Sequence, residues 1–130
     1  MIVVDASALV DWLLQTPAHG PAVAERIRAG QFVQTLDLAY LEVVSALQRK
    51  VTRGDLGVRR ARLALVDLAD TPLRSNPAAP LIERIWNLRA KLSAHDAAYV
   101  ALAEALDTPL VTTDAGLARS SGHRARIVKV

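Results

Sequence analysis

Residues 1–14 read MIVVDASALVDWLL. Ile2-Val3-Val4 is a β-branched run, which favours a strand. Asp5 ends it. Ser7 then reads as the N-cap of a helix through Leu14, because Leu9, Val10, Leu13 and Leu14 recur at helical spacing. Residues 109–118, PLVTTDAGLA, follow the same order late in the chain. Leu110–Thr113 reads as a strand, Asp114 ends it, and a short helix follows near Ala115–Ser120.

The segments between them alternate in the same way. Pro21–Ala29 is a helix with proline in its first turn and Gly30 just past its end. Phe32–Thr35 reads as a strand, and Leu36–Val51 and Leu56–Asp70 as helices. Leu73–Ser75, between Pro72 and Pro77, suits an edge strand. Pro80–Leu92 reads as helical, Ser93 caps a helix to Leu106, and Ile127–Lys129 closes as a strand. Such alternation predicts an α/β fold with a parallel sheet covered on both faces and right-handed crossovers. At 130 residues with no linker or repeat, the chain reads as one domain, 1–130.

In open parallel sheets, ligands bind beyond the carboxyl ends of the strands. Asp5 and Asp114 should therefore emerge on one rim. Two carboxylates about 4 Å apart repel by roughly 4 kcal/mol at an effective dielectric near 20. A divalent cation removes that cost. Taken alone, Asp5 reads equally as a turn residue and Asp114 as a helix cap. Glu42 is the only charge in LAYLEVVSALQ, residues 38–48. A helical wheel centres the bulky face on Tyr40, Val43, Val44 and Leu47 and leaves Glu42 beside Ala39 and Ala46. That fits a solvated glutamate, or one facing a cleft. Asp96 completes a capping box with Ser93, which accounts for it without any further role. His95 beside it reads as an exposed first-turn histidine, and His19 and His123 form no ligand spacing with it.

Composition narrows the chemistry. There is no cysteine, which excludes disulfides, thiolate metal sites and cysteine nucleophiles. No segment reads as a signal peptide or a membrane span, so a soluble, cytoplasmic protein is expected. Lysine and arginine number 16 against 13 acids, and the pI is near 9.8. Most of the bases are arginine, whose planar fork suits phosphate. A polyanionic partner and a compositional arginine bias explain that equally well.

Taken in order, residues 1–14, the glutamate inside an early long helix, LSAHDAAYVALAEAL (92–106) and PLVTTDAGLA resemble the PIN domain, and within it VapC-type toxins of bacterial toxin–antitoxin pairs. The resemblance covers the whole chain. It implies a three-layer α/β/α sandwich with a central, mainly parallel sheet, and a Mg²⁺- or Mn²⁺-dependent endoribonuclease. It carries the catalytic acids onto Asp5, Glu42, Asp96 and Asp114, with Asp5, Asp96 and Asp114 on the metal. The supporting hydroxyls fall on Ser7 and Thr112, with Thr113 adjacent. It also implies an RNA substrate, a cognate VapB-type antitoxin and a homodimer. Residues 115–130 contain no acid, so one well-held ion is expected, with a second recruited by substrate. An oxygen-only donor set fits a hard cation.

Two basic clusters are available to hold an RNA backbone. One runs from Arg49 to Arg62. The other is the tail, Arg119, Arg124, Arg126 and Lys129, which is preferred because it adjoins Asp114. Two rival readings remain. A catalytically weak PIN-like module would only bind RNA or a partner. A receiver-type phosphoacceptor would need a paired acid before Asp5, where Val4 stands, and a lysine ending a late strand.

Overall fold

The computed structural model describes residues 1–30 and 32–130. Its strands are β1 (Ile2–Val4), β2 (Val33–Leu36), β3 (Arg74–Asn76), β4 (Leu110–Thr112) and β5 (Ile127–Lys129). The helices are α1 (Ala6–Leu14), α2 (Gly20–Ala29), α3 (Ala39–Thr52), α4 (Val58–Asp70), α5 (Ile82–Asn87), α6 (Ala94–Ala105) and α7 (Ala115–Ala118), and a 3-10 turn at Ala79–Leu81 precedes α5.

All strand pairs are parallel, in the order β3-β2-β1-β4-β5. The chain steps outward from β1 to β3, then returns across β1 to form β4 and β5. Right-handed crossovers place α1–α4 on one face and α5–α6 on the other. The packing agrees: α1 lies on α2 and α3, while α6 lies on α5 and on β1, β2 and β4. The expected α/β/α layering is therefore present. The direction of travel reverses between β1 and β4, which opens a crevice where those two strands end.

The core is aliphatic. Val3, Val4, Leu36, Leu110 and Val111 fill the strands, and Leu9, Val43, Leu47 and Leu117 cover them from the helices. In α6, every residue from Ala97 to Ala103 is buried. Its alanines let the helix lie close on the sheet. Gly20 marks another close approach: a Cβ there would stand 2.9 Å from the backbone carbon of Gln15. Gly20→Ala is expected to cost about 1–3 kcal/mol, read by denaturant melts. No loss would mean that the α1–α2 turn has slack.

Several element boundaries differ from the sequence reading. The α1 cap is Asp5, whose side chain accepts from the Ala8 N–H, not Ser7. Leu36 ends β2, so α3 begins only at Ala39. Its fully buried position against the sheet outweighs helix propensity. Helix α5 stops at Asn87 rather than Leu92. Beyond it, Leu88 is 2% exposed and anchors a tight turn, accepting from both Lys91 and Leu92. Val44, placed on the core side of α3 by the wheel, is exposed, while Ala39, Val43 and Leu47 face the core. Among the described residues, no helix is long and apolar enough to cross a membrane.

Candidate active site

Asp5 is the fixed point. It closes β1 and turns the chain into α1. Its Oδ1 accepts from the Ala8 N–H at 2.9 Å and from the Ser7 hydroxyl at 2.8 Å. Its Oδ2 accepts from the Thr112 hydroxyl at 2.5 Å. The Thr112 oxygen accepts in turn from the Asp114 N–H at 3.0 Å, and Ser7 Oγ from the Thr113 N–H at 3.3 Å. Ser7 and Thr112 thus tie the end of β1 to the end of β4. Thr113 enters this network through its backbone N–H, and its hydroxyl makes no hydrogen bond among the described residues.

The Asp5 residue is only 4% exposed and pairs with no cation among the described residues. Burial pushes its carboxyl up to about 6, against the three hydrogen bonds it accepts, and the nearby Asp96 charge pushes the same way. Asp96 is half-buried in the first turn of α6, where Ser93 Oγ accepts from its N–H at 3.2 Å. Burial and then the charge of Asp114 raise its carboxyl, opposed by Ser93 and His95. Asp114 is exposed and caps α7, with Oδ1 accepting from the Leu117 N–H at 2.8 Å. Asp5 and Asp114 therefore cap helices, and Asp96 sits in the first turn that Ser93 caps, while all three stand within reach of one another's fields.

Glu42 comes from the opposite wall. It is half-buried on α3, and its Oε1 accepts from the Tyr99 hydroxyl at 2.8 Å. Ser45 and Ala46 beside it line the cleft while Ala39 faces the core, so it is not a solvated glutamate. Burial, followed by the Glu42 charge, holds the Tyr99 hydroxyl well above its ordinary value. It stays a proton donor at any working pH. Tyr99 is the residue that sequence reading passed over. Its signal was present: it lies one turn after Asp96, in a run with no other polar partner for a hydroxyl that needs one. Helix α6 thus carries Asp96 directly and fixes Glu42 through Tyr99.

Asp5, Glu42, Asp96 and Asp114 line one cleft of about 660 Å³ at the carboxyl edge of β1 and β4. The donors are carboxylate and hydroxyl oxygens, with the Asp96 charge acting against Asp5 and the Asp114 charge against Asp96. That chemistry fits a hard divalent cation. Among the described residues, no three acids or histidines close on one point tightly enough to grip an ion alone. The set therefore suits an ion that keeps part of its water shell, as Mg²⁺ does.

The basic tail is not one surface. Strand β5 runs parallel to β4, so the chain must return to the amino-terminal edge before β5 starts. Arg124 and Arg126 lie on that return. The Arg126 carbonyl accepts from Leu110 at the start of β4, and the Arg124 guanidinium is 3.9 Å from Glu104. Both stand at the rim opposite the acids, which removes the reason for assigning them to RNA. Lys129 pairs in register with Thr112 at the acidic rim, and Arg119 follows α7; both are exposed. From the other basic cluster, Arg49 and Lys50 line the cleft itself.

The sequence matches the PIN domain over residues 2–122. It is 42% identical over 127 residues to Ribonuclease VapC12 of Mycobacterium tuberculosis, spanning 98% of this chain and 97% of that protein. The fold is similar to that of VapC20, a sarcin-ricin loop cleaving toxin of the same organism, with a TM-score of 0.72 and 19% identity over 95% of this chain and 97% of that one. It is also similar to a chain of VapBC2 from Rickettsia felis, solved bound to a promoter DNA fragment, with a TM-score of 0.69 and 13% identity over 99% and 98% of the two chains. These structural likenesses establish the fold; the sequence match over nearly the full length establishes the kinship. The chain belongs to the PIN domain family, among the VapC ribonucleases.

Proposed function

We propose that this chain is a divalent-metal-dependent endoribonuclease, the toxin of a VapBC-type toxin–antitoxin pair, built as a single PIN domain over residues 1–130. The observation that carries this is the convergence of Asp5, Glu42, Asp96 and Asp114 on one cleft, with the most buried of them lacking any cationic partner among the described residues. Its 42% identity to VapC12, a named ribonuclease, supports the reading.

Bound Mg²⁺ or Mn²⁺ supplies Lewis-acid charge for the phosphodiester and lowers the pKa of a coordinated water. Asp5, Asp96 and Asp114 are the residues that would hold it. Ser7 and Thr112 keep the Asp5 carboxylate from rotating. Glu42 has one oxygen committed to Tyr99, so its Oε2 is left to orient water. Arg119 and Lys129 remain candidates for the RNA backbone on the acidic rim. A cognate VapB-type antitoxin is the partner expected to cover the cleft, and a basic side chain reaching the acids would silence it. The active species is taken as a cytoplasmic homodimer.

The test is RNA cleavage by the purified chain with and without EDTA. Activity that disappears in EDTA and returns with Mn²⁺ supports the proposal. Undiminished cleavage in EDTA overturns the metal assignment. Tyr99→Phe probes the arrangement further. It removes one hydrogen bond to a charged group, worth about 1.5–3 kcal/mol. A loss of kcat of about tenfold or more is expected, and in a Glu42→Gln background Tyr99→Phe should add little. Full additivity of the two changes would show that Tyr99 does not act through Glu42.

A further inference from the structure

We propose that Arg49 and Lys50 form a phosphate subsite for the RNA strand, away from the scissile linkage. This rests on the ribonuclease reading and extends it.

Helix α3 presents one continuous face to the cleft, made by Glu42, Ser45, Ala46, Arg49 and Lys50. That face changes sign along its length. At 1.5 Å rise per residue, Arg49 lies about 10 Å along the axis from Glu42. An extended nucleic-acid strand crosses that distance in a few nucleotides. A strand lying along α3 thus has one phosphate among the acids and a neighbouring phosphate between the two bases.

Cations in the last turn of α3 also favour the helix C-terminus. That effect requires only charge near the last turns; it does not require both side chains to face the cleft. Both ion pairs among the described residues converge on Glu104. Arg49 and Lys50 therefore have no acid partner there and are available to a ligand. An acidic protein segment is the other conceivable occupant. The ribonuclease kinship, on which this subsite rests, makes RNA the polyanion that enters this cleft. RNA is therefore favoured.

The probe is labelled single-stranded RNA binding to Asp5→Asn protein in Ca²⁺, measured across a salt series. Adding Arg49→Gln and Lys50→Gln should reduce the salt slope by about 0.7 for each phosphate that is no longer held. Arg26→Gln with Arg28→Gln on α2 removes the same charge elsewhere and should leave the slope unchanged. An unchanged slope in the first pair, or an equal fall in both pairs, overturns the subsite. With Asp5 intact, the Arg49/Lys50 double variant should raise KM for RNA by tenfold or more while kcat stays within about threefold. A loss confined to kcat would overturn the subsite by showing damage at Glu42. If the wild-type chain cuts no RNA at all, the ribonuclease reading falls, while the salt slopes still decide whether these two side chains hold phosphate.

Discussion

Asp5→Asn is expected to lower RNA cleavage by at least 10²–10³-fold, the scale seen when one preorganised electrostatic group is removed from an active site. The same variant is expected to be more stable than wild type without metal. The Asp5 carboxyl sits near 6 in the fold against 3.8 as a free side chain. The native state therefore binds a proton more tightly than the unfolded chain. Stability from this group is full below about pH 4 and is lost as pH rises through about 6. The difference of roughly two units corresponds to about 3 kcal/mol at neutral pH. Asparagine avoids it, so the variant should melt higher at pH 7.5 and match wild type near pH 4. A variant that is less stable at both pH values would mean that capping α1 outweighs the charge. One that cleaves at the wild-type rate would remove Asp5 from the site.

Glu104 is expected to show the opposite pH dependence. Its side chain is 4% exposed on α6 and takes Arg84 Nε at 2.7 Å and Nη2 at 2.9 Å. It also accepts from the Arg124 N–H at 2.8 Å. Arg84 above all holds its carboxyl down at about 2, from an ordinary 4.5. This contribution is present above about pH 4.5 and is lost as pH falls toward 2. Glu104→Gln is expected to cost about 2–3 kcal/mol at pH 7, measured by denaturant melts, and to blunt the acid transition. Cleavage should be spared, because Glu104 stands at the far rim. An equal cost at pH 2.5 and pH 7 would refute the charge assignment. Together the two acids predict that the metal-free protein is most stable near pH 4–5.

The central strands, the caps at Ser93 and Asp114, and the edge position of β3 were legible because each rests on local chemistry: β-branched runs, a capping box, flanking prolines. Leu36 and Leu88 were not, since their assignments depend on burial against distant strands and helices. The rim shared by Asp5 and Asp114 followed from strand direction alone. Its neighbours did not. Glu42 and Asp96 each had a sufficient local explanation, and only the reversal of strand order between β1 and β4 brings their helices to one crevice. Tyr99 stood in view one turn after Asp96, but its partner Glu42 was hidden because it lies 57 residues away. Within the basic tail, Arg124 and Arg126 were misplaced for a topological reason: adjacency to Asp114 in sequence reverses once the chain must return to start a parallel strand.

The most direct test of the central claim is anomalous diffraction from crystals grown with Mn²⁺. The account predicts a manganese peak in the cleft bound to Asp5 or Asp114, absent in Asp5→Asn crystals. An empty cleft at millimolar Mn²⁺, in protein that still cleaves RNA, would contradict it.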